Sequence, residues 1–347
     1  MMKRGVFLGC FLIIILCLMG EACLFYKYEG KIHHKLTMYQ EKKARDAEFE
    51  LMNEKIVDID DLPVLQDEVD AWYMKYRIIA HGGGNIDGRC YTNSKEAWDY
   101  SYSRGNRLID VDLSFTKDSV LVARHEWFDN LECGYEPMCL SPSIRTIATE
   151  PSIDGCVIHT NTAEKQYEIP TYQEFISSPI FHQYTPLNVD SLILFMNRHS
   201  DVYFLIDMKE EVKNGEDVKK GYHYLVRKIH DFVSDSILDR IVVSCYFEDY
   251  KVISSVFPFR HYIIRQYYNR PSNYTEIAKL CIEKKIHAVN ISQRYVHDEG
   301  VGKLMEKGIH IYVAVNDSYD EFVAYRKMGI TGCVSNLLYE DEFHVNH

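Results

Sequence analysis

From residue 77 towards the C-terminus, short apolar or β-branched runs alternate with stretches of helical pattern, and this alternation constrains the fold more than any other feature of the chain. Strand patterns fall at 77–81, 107–113, 202–207, 240–245, 261–265, 287–291, 309–315 and 331–335. Helical patterns lie at 94–104, 187–199, 219–234, from about 248, and at 273–284, 298–307 and 318–328. Strands that alternate with helices imply parallel βαβ units. Eight of them predict an α/β fold, a (β/α)8 TIM barrel over residues 76–340. A long insertion, about 126–184, follows the second strand. Insertions of that length at the active face of a barrel usually shape access to it.

The N-terminus reads differently. Lys3 and Arg4 precede the uncharged run Gly5–Gly20, and Gly20-Glu21-Ala22 offers small residues for cleavage. Residues 1–26 are therefore expected to be a signal peptide or a transmembrane anchor. Residues 27–75, dense in Glu, Lys and Asp, read as a helical stalk and linker. Either leader puts the barrel outside the cytoplasm, membrane-anchored or secreted. In that compartment Cys133, Cys139 and Cys156, which share one loop-rich segment, could form a disulfide, whereas Cys245, Cys281 and Cys333 sit in apolar patterns as plain buried thiols. The formal net charge of −12 argues against a nucleic-acid partner.

A barrel carries its chemistry at the C-terminal ends of its strands and in the loops beyond them. His81 ends the first strand and is followed by three glycines, as in the oxyanion loops of some esterases. Such an esterase needs a G-x-S-x-G elbow, and the chain has none. The second strand ends on Asp110-Val111-Asp112 and the third on Asp207-Met208-Lys209, while a further β-like run ends on His125. Residues two apart on a strand face the same way, which in a barrel places Asp110 and Asp112 together inside. Two inward carboxylates raise each other's pKa unless a cation lies between them, and Ca²⁺ or Mg²⁺ prefers such oxygen ligands. Asp207 supplies a third oxygen donor, and Lys209 can meet an anionic group. His81 and His125 are candidates for general acid and base. The glycines after His81 let the backbone approach a ligand closely.

These residues carry a resemblance. The runs "AHGGGNIDGRCYTNSKEA", "GNRLIDVDLSFTKDSVLVARHEW", "VYFLIDMK" and "IYVAVNDSYDEFVAYRKMGITGCVSN" resemble, in order, the motifs of the glycerophosphodiester phosphodiesterase family, among the phosphatidylinositol-phospholipase-C-like barrels. The resemblance spans about 77–336 and implies a metal-dependent phosphodiesterase. It makes His81 and His125 the acid/base pair, Asp110, Asp112 and Asp207 the ligands of one divalent cation, and Lys209 a phosphate contact. Asn93 and Gly82 fall at substrate-binding positions. Gly82 stands where the family usually has an arginine, so Arg89, Arg124 or Arg265 would have to replace that contact. Aspartate replaces glutamate at 110 and 207, Thr92 replaces a glutamate, and Glu126 an aspartate. These departures suggest a divergent branch whose substrate is a small glycerophosphodiester or a cell-envelope or polysaccharide phosphodiester. The alternative is a catalytically weak barrel that binds phosphorylated glycans or lipid head groups. Both histidines are retained, which favours catalysis.

Overall fold

In a computed structural model, the structure describes residues 58–125, 127, 150–151, 157–158, 169–209, 216–232, 235–266 and 273–343. Nine strands form one sheet: β1 (Ile78–Ala80), β2 (Leu108–Phe115), β3 (Leu121–Ala123), β4 (Tyr203–Met208), β5 (Ile241–Tyr246), β6 (His261–Gln266), β7 (Ala288–Ser292), β8 (His310–Ala314) and β9 (Gly332–Ser335). All but β3 run parallel, each beside the next, and β1 closes the ring by pairing with both β2 and β9. This is the expected eight-stranded barrel. The run "SVLVARHEW" is not a barrel strand: its Leu121–Ala123 folds back antiparallel on β2 and carries His125 to the barrel's edge.

The barrel strands are nearly continuous apolar runs because both of their faces are covered. Their outer faces pack against helices such as Val189–Arg198, Glu216–Asp231 and Tyr274–Lys284. Their inner faces form a separate cluster that includes Ile79, Leu108, Leu205, Val242, Ile263, Ala288, Tyr312 and Val334. The two-residue period of a strand then dictates the level above. Starting from Ile79, Leu108, Leu205, Ile263 and Val334, it points His81, Asp110, Asp112, Asp207, Arg265 and Asn336 into the same interior, towards the C-terminal mouth.

The base of the barrel corrects one expectation. Residues 58–75, read above as the end of a stalk, belong to one compact unit with the barrel, Asp58–His347. Trp72 and Tyr73, only 1% and 2% exposed, join the inner cluster from the short helix Trp72–Lys75. The proposed leader (1–26), residues 27–57 of the stalk, most of the 126–184 insertion, and Cys133, Cys139 and Cys156 lie outside the described residues. Among the described residues no helix is long and apolar enough to cross a membrane. Cys245, Cys281 and Cys333 are buried free thiols, as their patterns suggested.

Candidate active site

The mouth is built from the ends of β1, β2, β4, β6 and β9. Across the β2–β4 ladder Asp112 and Asp207 are register partners. Asp110, Asp112 and Asp207 are 4%, 0% and 7% exposed. Lys209 reaches back between two of them, its Nζ 2.9 Å from Asp112 Oδ1 and 2.6 Å from Asp207 Oδ2. Arg265 Nη1 lies 2.5 Å from the same Asp207 oxygen. Asn93, fully buried, donates from Nδ2 to Asp112 Oδ2 (2.8 Å) and accepts the Asp112 backbone N–H (3.1 Å). Gly82 N–H donates to Asp110 Oδ2 at 3.1 Å.

These contacts set the charges. Burial disfavours an ionised Asp112, but Lys209, with the hydrogen bond from Asn93, outweighs it and holds its carboxyl below the usual range. Asp207 is lowered likewise: Arg265 and Lys209 overcome its burial. At Asp110 the pull of Lys209 and of the Gly82 N–H is too weak to do the same. Burial, then the charges of Asp112 and Asp207, push its carboxyl well above the ordinary value. Lys209 stays firmly protonated, because Asp112 and Asp207 more than offset its desolvation.

His81 and His125 both meet Tyr91 edge-on, with ring centroids 4.4 Å and 5.8 Å away. Burial lowers the pKa of both, that of His125 to about 4, so both favour the neutral imidazole. The tautomer of His81 follows from its neighbours. Asn336 Nδ2 must donate to Asp317 Oδ2 (2.8 Å), which turns Asn336 Oδ1 towards His81 Nδ1 at 3.1 Å. An amide oxygen only accepts, so His81 Nδ1 carries the proton and Nε2 keeps its lone pair. Asp317 is itself fixed by Ser335 Oγ (2.8 Å) and by the backbone N–H of Asn336 (2.6 Å). Sequence reasoning passed over Tyr91, Asn336 and Asp317, although the strand-end rule that found His81 applies equally to Asn336, just past β9.

The structure therefore brings together every residue singled out as catalytic or metal-binding, but in a pairing of its own. Lys209, expected on a phosphate, bridges two carboxylates. Asn93, expected on the substrate, orients Asp112. Among the described residues no three acidic, imidazole or thiol side chains come close enough together to hold a metal ion as they stand. The donor chemistry nevertheless suits a hard cation. Asp207 Oδ1 is buried without a hydrogen-bond partner, and Asp110 is a carboxyl whose ionisation Lys209 and the Gly82 N–H do not fully compensate.

Residues 83–337 match the glycerophosphoryl diester phosphodiesterase family. No curated protein matches the chain. Among solved structures, a phosphodiesterase of Oleispira antarctica, determined with its product sn-glycerol-3-phosphate, is similar at a TM-score of 0.56 and 12% identity, over 78% of this chain and 97% of that one. A glycerophosphodiester phosphodiesterase of Parabacteroides distasonis gives 0.54 and 14%, over 78% and 96%. At these identities the likeness establishes the barrel fold.

Proposed function

The chain belongs to the glycerophosphoryl diester phosphodiesterase family, and on that premise we propose that it hydrolyses glycerophosphodiester-type bonds by histidine acid/base catalysis with one divalent cation, Ca²⁺ or Mg²⁺. The observation that carries the mechanism is the pair of desolvated imidazoles that both contact Tyr91, beside a buried, ionised Asp112. His81, with its proton held on Nδ1 by Asn336, offers Nε2 as the base. It takes the proton of a hydroxyl of the glycerol-like moiety as that oxygen bonds to phosphorus. The bond from phosphorus to the other alcohol breaks, and the departing oxygen takes a proton from His125. Burial alone favours neutral His125; an arriving phosphate anion favours its imidazolium, the form an acid needs. Water then opens the cyclic phosphate with the two roles exchanged. Asp110, Asp112 and Asp207 would hold the cation, whose part when bound is to neutralise and polarise a phosphoryl oxygen.

An envelope or polysaccharide phosphodiester is proposed beside the small glycerophosphodiester because Gly82 and the shorter Asp110 and Asp207 depart from the family's pattern. An extracytoplasmic, membrane-anchored or secreted location is proposed from the leader. The test is turnover of glycerophosphocholine and bis(p-nitrophenyl) phosphate by the purified full chain. Hydrolysis that EDTA abolishes and Ca²⁺ or Mg²⁺ restores is expected. No turnover of any diester, or full activity in both His81→Ala and His125→Ala, would overturn the proposal.

A further inference from the structure

Position 82 cannot donate a side chain to a phosphate. Gly82 has φ +51°, and a Cβ there would stand 2.9 Å from Tyr91 Cα and 3.3 Å from Tyr91 Cδ1. Tyr91 itself lies in the left-handed region at φ +57°, a conformation rare for a bulky residue and found where surrounding structure enforces it. The two backbones interlock, so the cation that could have followed His81 has no room.

Resting on the phosphodiesterase reading, we infer that Arg265 is the phosphate-orienting cation of this site, supplied from β6 in place of position 82. Three observations support it. First, Arg265 lies two residues above the inner-cluster residue Ile263, so its side chain points into the barrel. It reaches past β5, which separates β6 from β4, to meet Asp207. Secondly, its orientation is fixed in advance. Asp207 holds Nη1, and the guanidinium lies over the Tyr246 ring, 4.5 Å from the centroid. A buried guanidinium at 9% exposure, braced by a carboxylate and an aromatic face, is organised to meet an anion with little reorganisation. Thirdly, Asp207 serves two cations at once, Lys209 and Arg265. Both reach the same oxygen, Oδ2, so an arriving phosphate can take over part of what a single carboxylate oxygen now shares between them. The aspartate at 207 and the glycine at 82 then become one linked change: the shorter carboxylate accommodates a guanidinium arriving from two strands away.

The test uses the full-length protein, with two readouts. Binding of glycerol 3-phosphate and of inorganic phosphate is measured by calorimetry without added metal, and kcat and KM are measured on bis(p-nitrophenyl) phosphate. Arg265→Gln should weaken glycerol 3-phosphate binding by about 10- to 100-fold, the worth of a charge-assisted hydrogen bond, and lower kcat/KM by about 10²-fold. Arg265→Lys should recover part of both, and free guanidinium should restore turnover to Arg265→Ala. Arg89→Gln, which removes a guanidinium stacked on Phe181, should change neither. Wild-type binding and turnover in Arg265→Gln would overturn the inference while leaving the phosphodiesterase reading intact. So would lost activity with phosphate binding unchanged and no guanidinium rescue. A wild-type protein that cleaves no diester and binds neither phosphate would sink both together.

Discussion

The two ends of the barrel use the same residue types for different ends. At the base, Tyr73 stacks on His287 and meets His310 at a tilt, with centroids 4.7 Å from each, and Trp72 meets His261 edge-on. His310 Nε2 lies 2.7 Å from Asp67, and Glu68 takes Arg260 at 3.2 Å. Here histidines pack as aromatic plates, and the acids beside them are partly exposed partners on the covering segment. At the mouth the acids are interior and shared: Lys209 between two of them, two cations on Asp207, and Asp110 with no cation to itself. A histidine next to a carboxylate is thus no mark of chemistry. Convergence on one interior space, with buried acids that share their cations, is the distinguishing feature.

The largest expected effect separates the ends directly. His125→Ala should lower kcat by about 10²–10⁴-fold, the range for losing a general acid or base, with an unchanged melting temperature. His310→Ala should leave kcat within twofold, roughly the noise of an assay in which tenfold corresponds to about 1.4 kcal/mol. Comparable losses from both would mean the base is not merely structural. Next in size is Trp72→Ala. Removing a fully buried indole costs about 3–5 kcal/mol, read as a lower urea midpoint, while kcat of the protein that remains folded should not move. A small stability loss would show that the segment only rests against the base.

How far the sequence disclosed this molecule follows the same division. The eight barrel strands were legible to within two residues because runs such as Ile241–Tyr246 are apolar but for Ser244, as expected of strands covered on both faces. His81, Asp110, Asp112 and Asp207 were legible because strand period and barrel topology together fix a face and a level. The base was not. Trp72 and Tyr73 sit in a four-residue helix after an acidic stretch, too short for any periodicity to register. Partners were also hidden. Spacing shows that Lys209 shares a side with Asp207, yet not that it spans to Asp112. The contact between His81 and Asn336 joins residues 255 apart in the chain. Asn290 and Asn316 match the glycosylation pattern in sequence, but burial puts both out of a glycan's reach.

Acid should act on the base through His261. Its pKa is lowered to about 4, by burial first and by Arg260 second. Between pH 6.5 and 4 the unfolded chain binds a proton there that the folded chain refuses, so stability must fall as pH drops through that window. His261→Phe, which keeps a ring against Trp72 and Tyr203, should flatten the decline in urea midpoint from pH 7 to 4.5. An equally steep decline would assign the acid sensitivity to the mouth, where His125 is lowered to a similar value.

The smallest effect is expected at Asp67. Its pair with His310 is short, but the Asp67 side chain is 43% exposed, and pairs of that kind contribute about 0–1 kcal/mol. Asp67→Asn keeps an oxygen for His310 Nε2 and removes only the charge, so the melting temperature should shift by at most a few degrees. The equivalent change at the mouth, Asp112→Asn, strips Lys209 of one of its two carboxylates at a fully buried position, and should cost both stability and turnover. The ratio of those two losses measures the contrast between the ends. If Asp67→Asn lowered kcat as Asp112→Asn does, the segment below the barrel would be coupled to the chemistry above it, and the separation of a packing base from a reactive mouth would fail.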